Sequence, residues 1–397
     1  MTKKPAPLED VRILDLTRLF PGPLATMMLG DLGAEVIKVE DPQTGDLTRY
    51  WPPLTRGIGA GYLALNRSKL SFTVNLKDPK GRELFLKLAE EADVVVEGFR
   101  PGVMDRLGIG YQNLKQARED IILCSISGYG QDGPYRLRAG HDINYCARTG
   151  VLGLTGVRRG PPMMLGVQVG DVTGGTWQAL AGILGALFQR ERTGRGQWVD
   201  IAMTEGALST TTLMLADAFV GEKVPPRGEA PLAGGYPGYG VFETADGRHL
   251  SVGALEPQFF DSLCEALGLP EHKGQTGLLG EEGRALREKI ALAIKSRTQR
   301  EWIQVFDKVE ACVEPVLEGE EVLAEPQLNH RKMFFEMEHP DAGTLKLMAT
   351  PLKLADRSTP TLPPPRLGEH TAEILKRLGL TGEEIRSLAE SGVISTV

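Results

Sequence analysis

Two hydrophobic rhythms alternate along the first half of the chain. Short runs rich in branched apolar residues read as strands: Val11–Leu16, Glu35–Val39, Leu70–Leu76, Ala92–Val96 and Ile121–Ile126. Between them the spacing turns helical. Leu24, Met27, Met28 and Leu32 share one face after Pro21-Gly22-Pro23. Asp78 and Pro79 open a helix whose stripe is Leu84, Leu86, Leu88 and Ala92, with proline at the first helical position. Leu180, Ile183, Leu184 and Leu187 fall at i, i+3, i+4 and i+7 within Trp177–Arg190, which the glycines of Thr193–Gly196 terminate. Gln197–Met203 is a further strand and Thr204–Val220 a further helix. Strands alternating with helices predict βαβ units and a mostly parallel sheet covered on both faces.

The pattern changes at Gly221–Gly240, dense in glycine and proline, which reads as a linker. Beyond it, Val241–Thr244 and His249–Val252 flank an Asp-Gly pair and predict a hairpin. Helical stripes follow at Pro257–Leu267, Glu282–Lys295 and Gln299–Val309, then a strand at Ala311–Val316. Ser358–Pro365 reads as extended and polyproline-like, and two amphipathic helices, Glu369–Leu378 and Thr381–Glu390, close the chain. The expected class is α/β: a Rossmann-like large domain with a parallel sheet plus a smaller α+β domain. The large domain spans 1–203 and is completed by about 340–397. Residues 204–235 form a linker helix and Gly/Pro-rich segment, 236–325 the small domain, and 326–340 the return linker.

Composition narrows the function without naming it. The 397 residues hold 45 Lys and Arg against 52 Asp and Glu, a net charge of −7. That balance argues against a nucleic-acid binder, while leaving room for a local basic site. Cys124, Cys146, Cys264 and Cys312 are scattered, with no CxxC and no Cys/His cluster, so neither a zinc site nor a disulfide framework is expected. The start MTKKPAPLEDVR has no apolar signal region. No uncharged apolar run approaches the ~20 residues that span a bilayer. The expectation is a soluble, cytoplasmic protein without membrane association.

Common catalytic signatures are missing: no P-loop, no GxGxxG after the first strand, no GxSxG elbow and no HExxH. Three polar clusters remain. In Gly140-His141-Asp142-Ile143-Asn144-Tyr145 the histidine precedes a helical run, where Asp142 could simply cap the helix. In Gly170-Asp171-Val172-Thr173-Gly174-Gly175 the aspartate stands at the mouth of the strongest helix. It reads either as an N-cap or as a carboxylate kept ionised beside backbone N–H groups able to steady an oxyanion. In Leu255-Glu256-Pro257-Gln258-Phe259-Phe260 the glutamate opens a helix. Spacing alone leaves each of these open.

Taken together and in order, GHDINY, GDVTGG and ALEPQFF resemble the α-methylacyl-CoA racemases of the class III CoA-transferase (CaiB/BaiF) superfamily. The likeness runs through nearly the whole chain, including LEDVRILDLTRLFPGPLATMMLGDLGAEVIKVE, VVVEGFRPGVMDRLGIG, RTGRGQWVDIAM and ACVEPVL. It implies removal of the α-proton of a 2-methylacyl thioester on one face and its return on the other, with His141 and Asp171 as the two bases. An unperturbed imidazole, titrating at about 6.5, suits that work. Glu256 is implied to orient His141, and an interlocked homodimer to share the site between subunits. CoA is then part of the substrate, an acyl-CoA thioester, and no separate cofactor or metal is implied. Val74, Asn75, Leu76 and Lys77 are implied to line the nucleotide, Arg100 to contact adenine or phosphates, and Gly140, Asp142, Ile143, Asn144 and Tyr145 to border the ligand. Lys69 and Arg106 would add charge at the phosphate end. One departure stands out: the racemases carry Arg before the proline that leaves the second strand, and this chain has Asp41 before Pro42, with Lys38 or a neighbour as the substitute cation. Two other readings stay open. In a CoA-transferase Asp171 would carry CoA covalently, and a non-catalytic acyl-CoA-binding protein would use none of the three polar groups.

Overall fold

The computed structural model describes residues 6–354 and 362–397. The chain divides into two compact units, one built from residues 1–149, 166–210 and 327–397, the other from 150–165 and 211–326.

The first unit is organised by six parallel strands: β1 (Arg12–Asp15), β2 (Glu35–Glu40), β3 (Lys69–Thr73), β4 (Val94–Glu97), β5 (Ile122–Ser127) and β6 (Trp198–Ala202). Their order is β3-β2-β1-β4-β5-β6, and every pairing is parallel. The central strands bury both faces, which is why they read as continuous apolar runs such as Val94-Val95-Val96 rather than as alternations. On one face pack α1 (Pro21–Asp31), through Leu24, Met27 and Met28, and the later helix through Leu180, Ile183 and Leu187. On the other lies α2 (Pro79–Ala89), capped by Asp78, whose carboxylate accepts the Lys80 N–H at 2.8 Å. After β5 come α3 (Asp142–Arg148), a seven-residue wide-turn π segment at Gly170–Thr176, and α4 (Trp177–Thr193).

The second unit holds a three-stranded antiparallel sheet of β7 (Tyr239–Glu243), β8 (His249–Gly253) and β9 (Val313–Pro315), with β8 central. The expected hairpin is there. Gly247 takes the left-handed conformation at φ +75°, and Asp246 accepts the Thr244 hydroxyl at 2.6 Å. Helices α5 (Pro257–Leu267), α6 (Gly280–Ile294) and α7 (Gln299–Phe306) cover the sheet around Phe260, Leu263, Ile290 and Trp302. Residues 150–165 and 211–235 stand with this unit, where the sequence reading placed the first stretch in the large domain and the second in a linker. The single helix expected over Thr204–Val220 is broken into Met203–Ser209 and Ala216–Phe219.

The chain then returns to the first unit. The hairpin β10 (Phe334–His339) and β11 (Gly343–Met348) packs Met337, Leu345 and Leu347 against Leu63. Residues 358–361 of the proline-rich stretch Ser358–Pro365 lie outside the described residues. Helices α8 (Thr371–Arg377) and α9 (Gly382–Glu390) seat Ile374, Leu375 and Ile385 on the α2 face of the sheet. The Asn75 N–H donates to the Val393 carbonyl at 2.8 Å, so the C-terminus buttresses the segment that follows β3.

Candidate active site

In an open parallel sheet the ligand crevice opens at the carboxyl ends of the strands where the order reverses. Here the reversal falls between β1 and β4. The segments leaving them, Thr17–Gly22 and Gly98–Pro101, line a cleft of about 530 Å³ together with His141, Asn144, Tyr145 and Asp171. A second cleft of about 730 Å³ is lined by Val74, Asn75, Leu76, Lys77, Asp41 and Arg106. Arg18 and Phe99 border both, the guanidinium lying over the ring at 5.6 Å.

A buried charge network holds the segment after β1. Asp15 accepts the Thr17 N–H at 2.9 Å, the Lys38 ammonium donates to the Thr17 carbonyl at 3.0 Å, and Leu19 adopts φ +72°. Lys38 is fully buried against Asp46 at 2.9 Å, and Lys69 against Asp15 at 3.0 Å. Burial alone would lower the Lys38 pKa, but Asp15 and Asp46 outweigh it and raise the value. Neither lysine is therefore a phosphate contact, and two sequence expectations are corrected. Lys69 is committed to Asp15, the Pro23 carbonyl and Asn66. Lys38, facing the same interior, does not substitute for a cation at position 41. Asp41 itself is a turn residue, accepting the N–H groups of Gln43 at 2.9 Å and Thr44 at 3.0 Å.

His141 stands at the N-terminus of α3, where its own N–H donates to Asn144 Oδ1 at 3.0 Å. The Tyr145 hydroxyl donates to the Gly140 carbonyl at 2.6 Å, and its ring meets Tyr129 edge-on at 5.4 Å. A Cβ on Gly140 would come within 2.8 Å of the Tyr145 ring, which explains glycine before the histidine. Asp142 turns away from the cleft: its Oδ1 accepts the Asp171 N–H at 3.1 Å and so ties the two motifs together. Ile143 is exposed and does not line the cleft.

Asp171 sits inside the first turn of the π segment rather than capping a helix. Such wide turns recur at functional sites because they displace side chains from the regular helical track. The glycines that follow allow close packing. A Cβ on Gly174 would lie 2.2 Å from the Met203 carbonyl oxygen, and one on Gly175 2.7 Å from Pro21 Cβ. Burial, then the charge of Asp142, push the Asp171 carboxyl up to about 6, with His141 opposing. The carboxyl is thus raised rather than held in its ordinary range by the helix terminus, because desolvation and a like charge win, and it is still mostly ionised at pH 7.

The structure thus brings His141, Asp171, Gly140, Asn144, Tyr145 and Arg100 to one cleft, and Val74, Asn75, Leu76, Lys77 and Arg106 to the other. Arg100, expected near the nucleotide, lines the first cleft only. Glu256 opens α5 in the second unit. The sequence reading missed Arg18, Arg136 and Arg138, all lining the first cleft. Arg18 carried a usable signal, its place just beyond the carboxyl end of the first strand; the other two lie in an irregular stretch with no periodicity to mark them. Among the described residues no helix is long and apolar enough to cross a membrane.

Comparison with known proteins agrees with this geometry. The sequence pattern of CoA-transferase family III matches residues 8–371. The chain is 38% identical to the succinyl-CoA:glutarate CoA-transferase of Homo sapiens, over 98% of this chain and 90% of that protein. It is 35% identical to the alpha-methylacyl-CoA racemase of Homo sapiens, over 98% of both. The crystal structure of a CAIB/BAIF family protein from Brucella suis superposes with a TM-score of 0.80 at 29% identity, covering 94% of this chain and all of that one. With a doubly wound parallel sheet and a cleft at its switch point in place, the match across the whole chain means that this protein belongs to CoA-transferase family III.

Proposed function

We propose that this family III enzyme is an acyl-CoA racemase or epimerase that inverts the α-carbon of a 2-methylacyl-CoA. The observation that carries the reading is the pairing of His141 with a half-buried Asp171 in one cleft, the carboxyl being raised to about 6. Inversion needs two groups that each serve as base in one direction and acid in the other. A carboxyl near 6 exchanges its proton at neutral pH far more readily than an ordinary one. The CoA nucleotide occupies the cleft of Val74–Lys77 and Arg106, and the thioester passes Arg18 and Phe99 into the cleft of the bases. One base removes the α-proton, leaving a planar enolate. The other delivers a proton to the opposite face, and the pair ends with its single proton exchanged between partners. The proposal includes an orienting role for Glu256, a cytoplasmic homodimer as the working form, and turnover without metal or added cofactor. A folded monomer that turns over at micromolar concentration in sedimentation experiments would contradict the dimer.

A CoA-transferase is the second reading, favoured by the 38% identity to a relative of that name. There Asp171 attacks the donor thioester to give a mixed anhydride and CoA thiolate. The thiolate then attacks the aspartyl carbonyl, expelling the free acid and leaving CoA on Asp171. Incubating a panel of acyl-CoAs in D₂O, with and without free carboxylic acids, separates the two. Deuterium at the α-carbon without added acid is the expected result. CoA moved onto the acid, with no deuterium incorporated, would reverse the assignment.

A further inference from the structure

The cleft that holds His141 and Asp171 carries far more positive charge than a hydrocarbon acyl group needs. Arg18, Arg100, Arg136 and Arg138 line it, against a single carboxylate, Asp171. Among the described residues none of the four guanidiniums pairs with a carboxylate. Arg18 and Arg138 only lie over the rings of Phe99 and Tyr135. The neighbouring cleft has cations of its own for phosphates, Lys77 and Arg106, and shares Arg18. All four side chains are solvent-exposed, so an apolar chain in the first cleft would gain nothing from them and offer them no partner. An anion at the far end of the chain would reverse that balance, since guanidinium binds carboxylate in a charge-assisted, two-pronged geometry.

We infer that the substrate is an acidic acyl-CoA, a 2-methylacyl thioester whose chain ends in a free carboxylate held by Arg136 and Arg138. This rests on the racemase reading and names its substrate class. The other source of negative charge is the diphosphate of CoA itself, and the experiment distinguishes the two. α-Proton exchange in D₂O is measured for 2-methylglutaryl-CoA against 2-methylpentanoyl-CoA, which carry the same CoA and differ in the terminal carboxylate. The protein prefers the acidic thioester in kcat/KM, and R136Q and R138Q each lower that preference about 10- to 100-fold, the range for a hydrogen bond to a charged group. A wild-type preference for the neutral thioester, or an equal loss on both thioesters in the variants, overturns the inference and assigns the guanidiniums to CoA. Should neither thioester exchange its α-proton, the racemase reading fails separately. The charge preference is then read from CoA transfer onto succinate against butyrate. A ratio above one that falls in R136Q and R138Q sustains the acidic-chain site, and a ratio of one overturns it.

Discussion

Asp142 and Asp171 show how one residue can tune another from outside the cleft. The Asp142 carboxylate accepts the Asp171 N–H and also contributes, after burial, to raising the Asp171 carboxyl. Asp142→Asn keeps an acceptor oxygen at that site and removes the charge. The Asp171 carboxyl then falls below about 6, though not to its ordinary 3.8, because burial is the larger cause. The limb of the kcat/KM profile that reports Asp171 is expected to move to lower pH while the fold is unchanged. A limb that stays in place would show that Asp142 does not act on Asp171 through its charge. The same shift bears on stability. A carboxyl whose folded pKa is raised takes up its proton in the native state first, so lowering the pH from neutral through about 6 stabilises the fold relative to the unfolded chain. Asp171→Asn removes the penalty of the buried charge and is expected to raise stability at pH 7 by about 1–2 kcal/mol after discounting for partial solvent access. A chemical denaturation series at pH 7 and pH 5 checks it: the gain shrinks at the lower pH, and a gain equal at both would exclude the titration as its cause.

At the scale of elements, the strands that are buried on both faces were legible in the sequence, because branched apolar runs such as Val94-Val95-Val96 have no other stable use in an α/β chain. Pro257–Leu267 was legible to the residue through its proline start and the glycine at its end, Gly268 at φ +73°. The hairpin Phe334–His339 with Gly343–Met348 was not: its outward positions Glu336, Glu338 and Lys346 dilute the apolar signal, and only tertiary packing on Leu63 gives the inward ones a core. In the site, His141 and Asp171 emerged from motif order, whereas the burial of Lys69 depended on Asp15, a partner distant in sequence. The C-terminal helices matter out of proportion to their distance along the chain. Leu375 is fully buried in the core that also contains Phe72 and Val74, next to the segment Val74–Lys77 that lines the second cleft. Leu375→Ala is expected to cost about 2–5 kcal/mol and to weaken CoA binding through Val74–Lys77. Calorimetry and titration with CoA check both, and an unaltered melting profile would show that the helix does not brace the sheet.

At the scale of the whole molecule, the two units divide the candidate groups. The first carries His141, Asp171 and both clefts, and the second carries Glu256. Family membership fixes acyl-CoA chemistry of one lineage, within which the two proposed readings, inversion and CoA transfer, both assign the chemistry to Asp171. What sets the racemase reading apart is His141 as a second base, and one measurement addresses it directly. Each enantiomer of a 2-methylacyl-CoA substrate is incubated in D₂O with wild-type protein, His141→Ala and Asp171→Ala, and both α-deuteration and configuration are followed. The wild type is expected to deuterate and invert both enantiomers. Each variant is expected to lose inversion by about 10²–10⁴-fold, the range for removal of a general base. Residual exchange without inversion should survive for one enantiomer in His141→Ala and for the other in Asp171→Ala. Inversion near the wild-type rate in His141→Ala would contradict the two-base account.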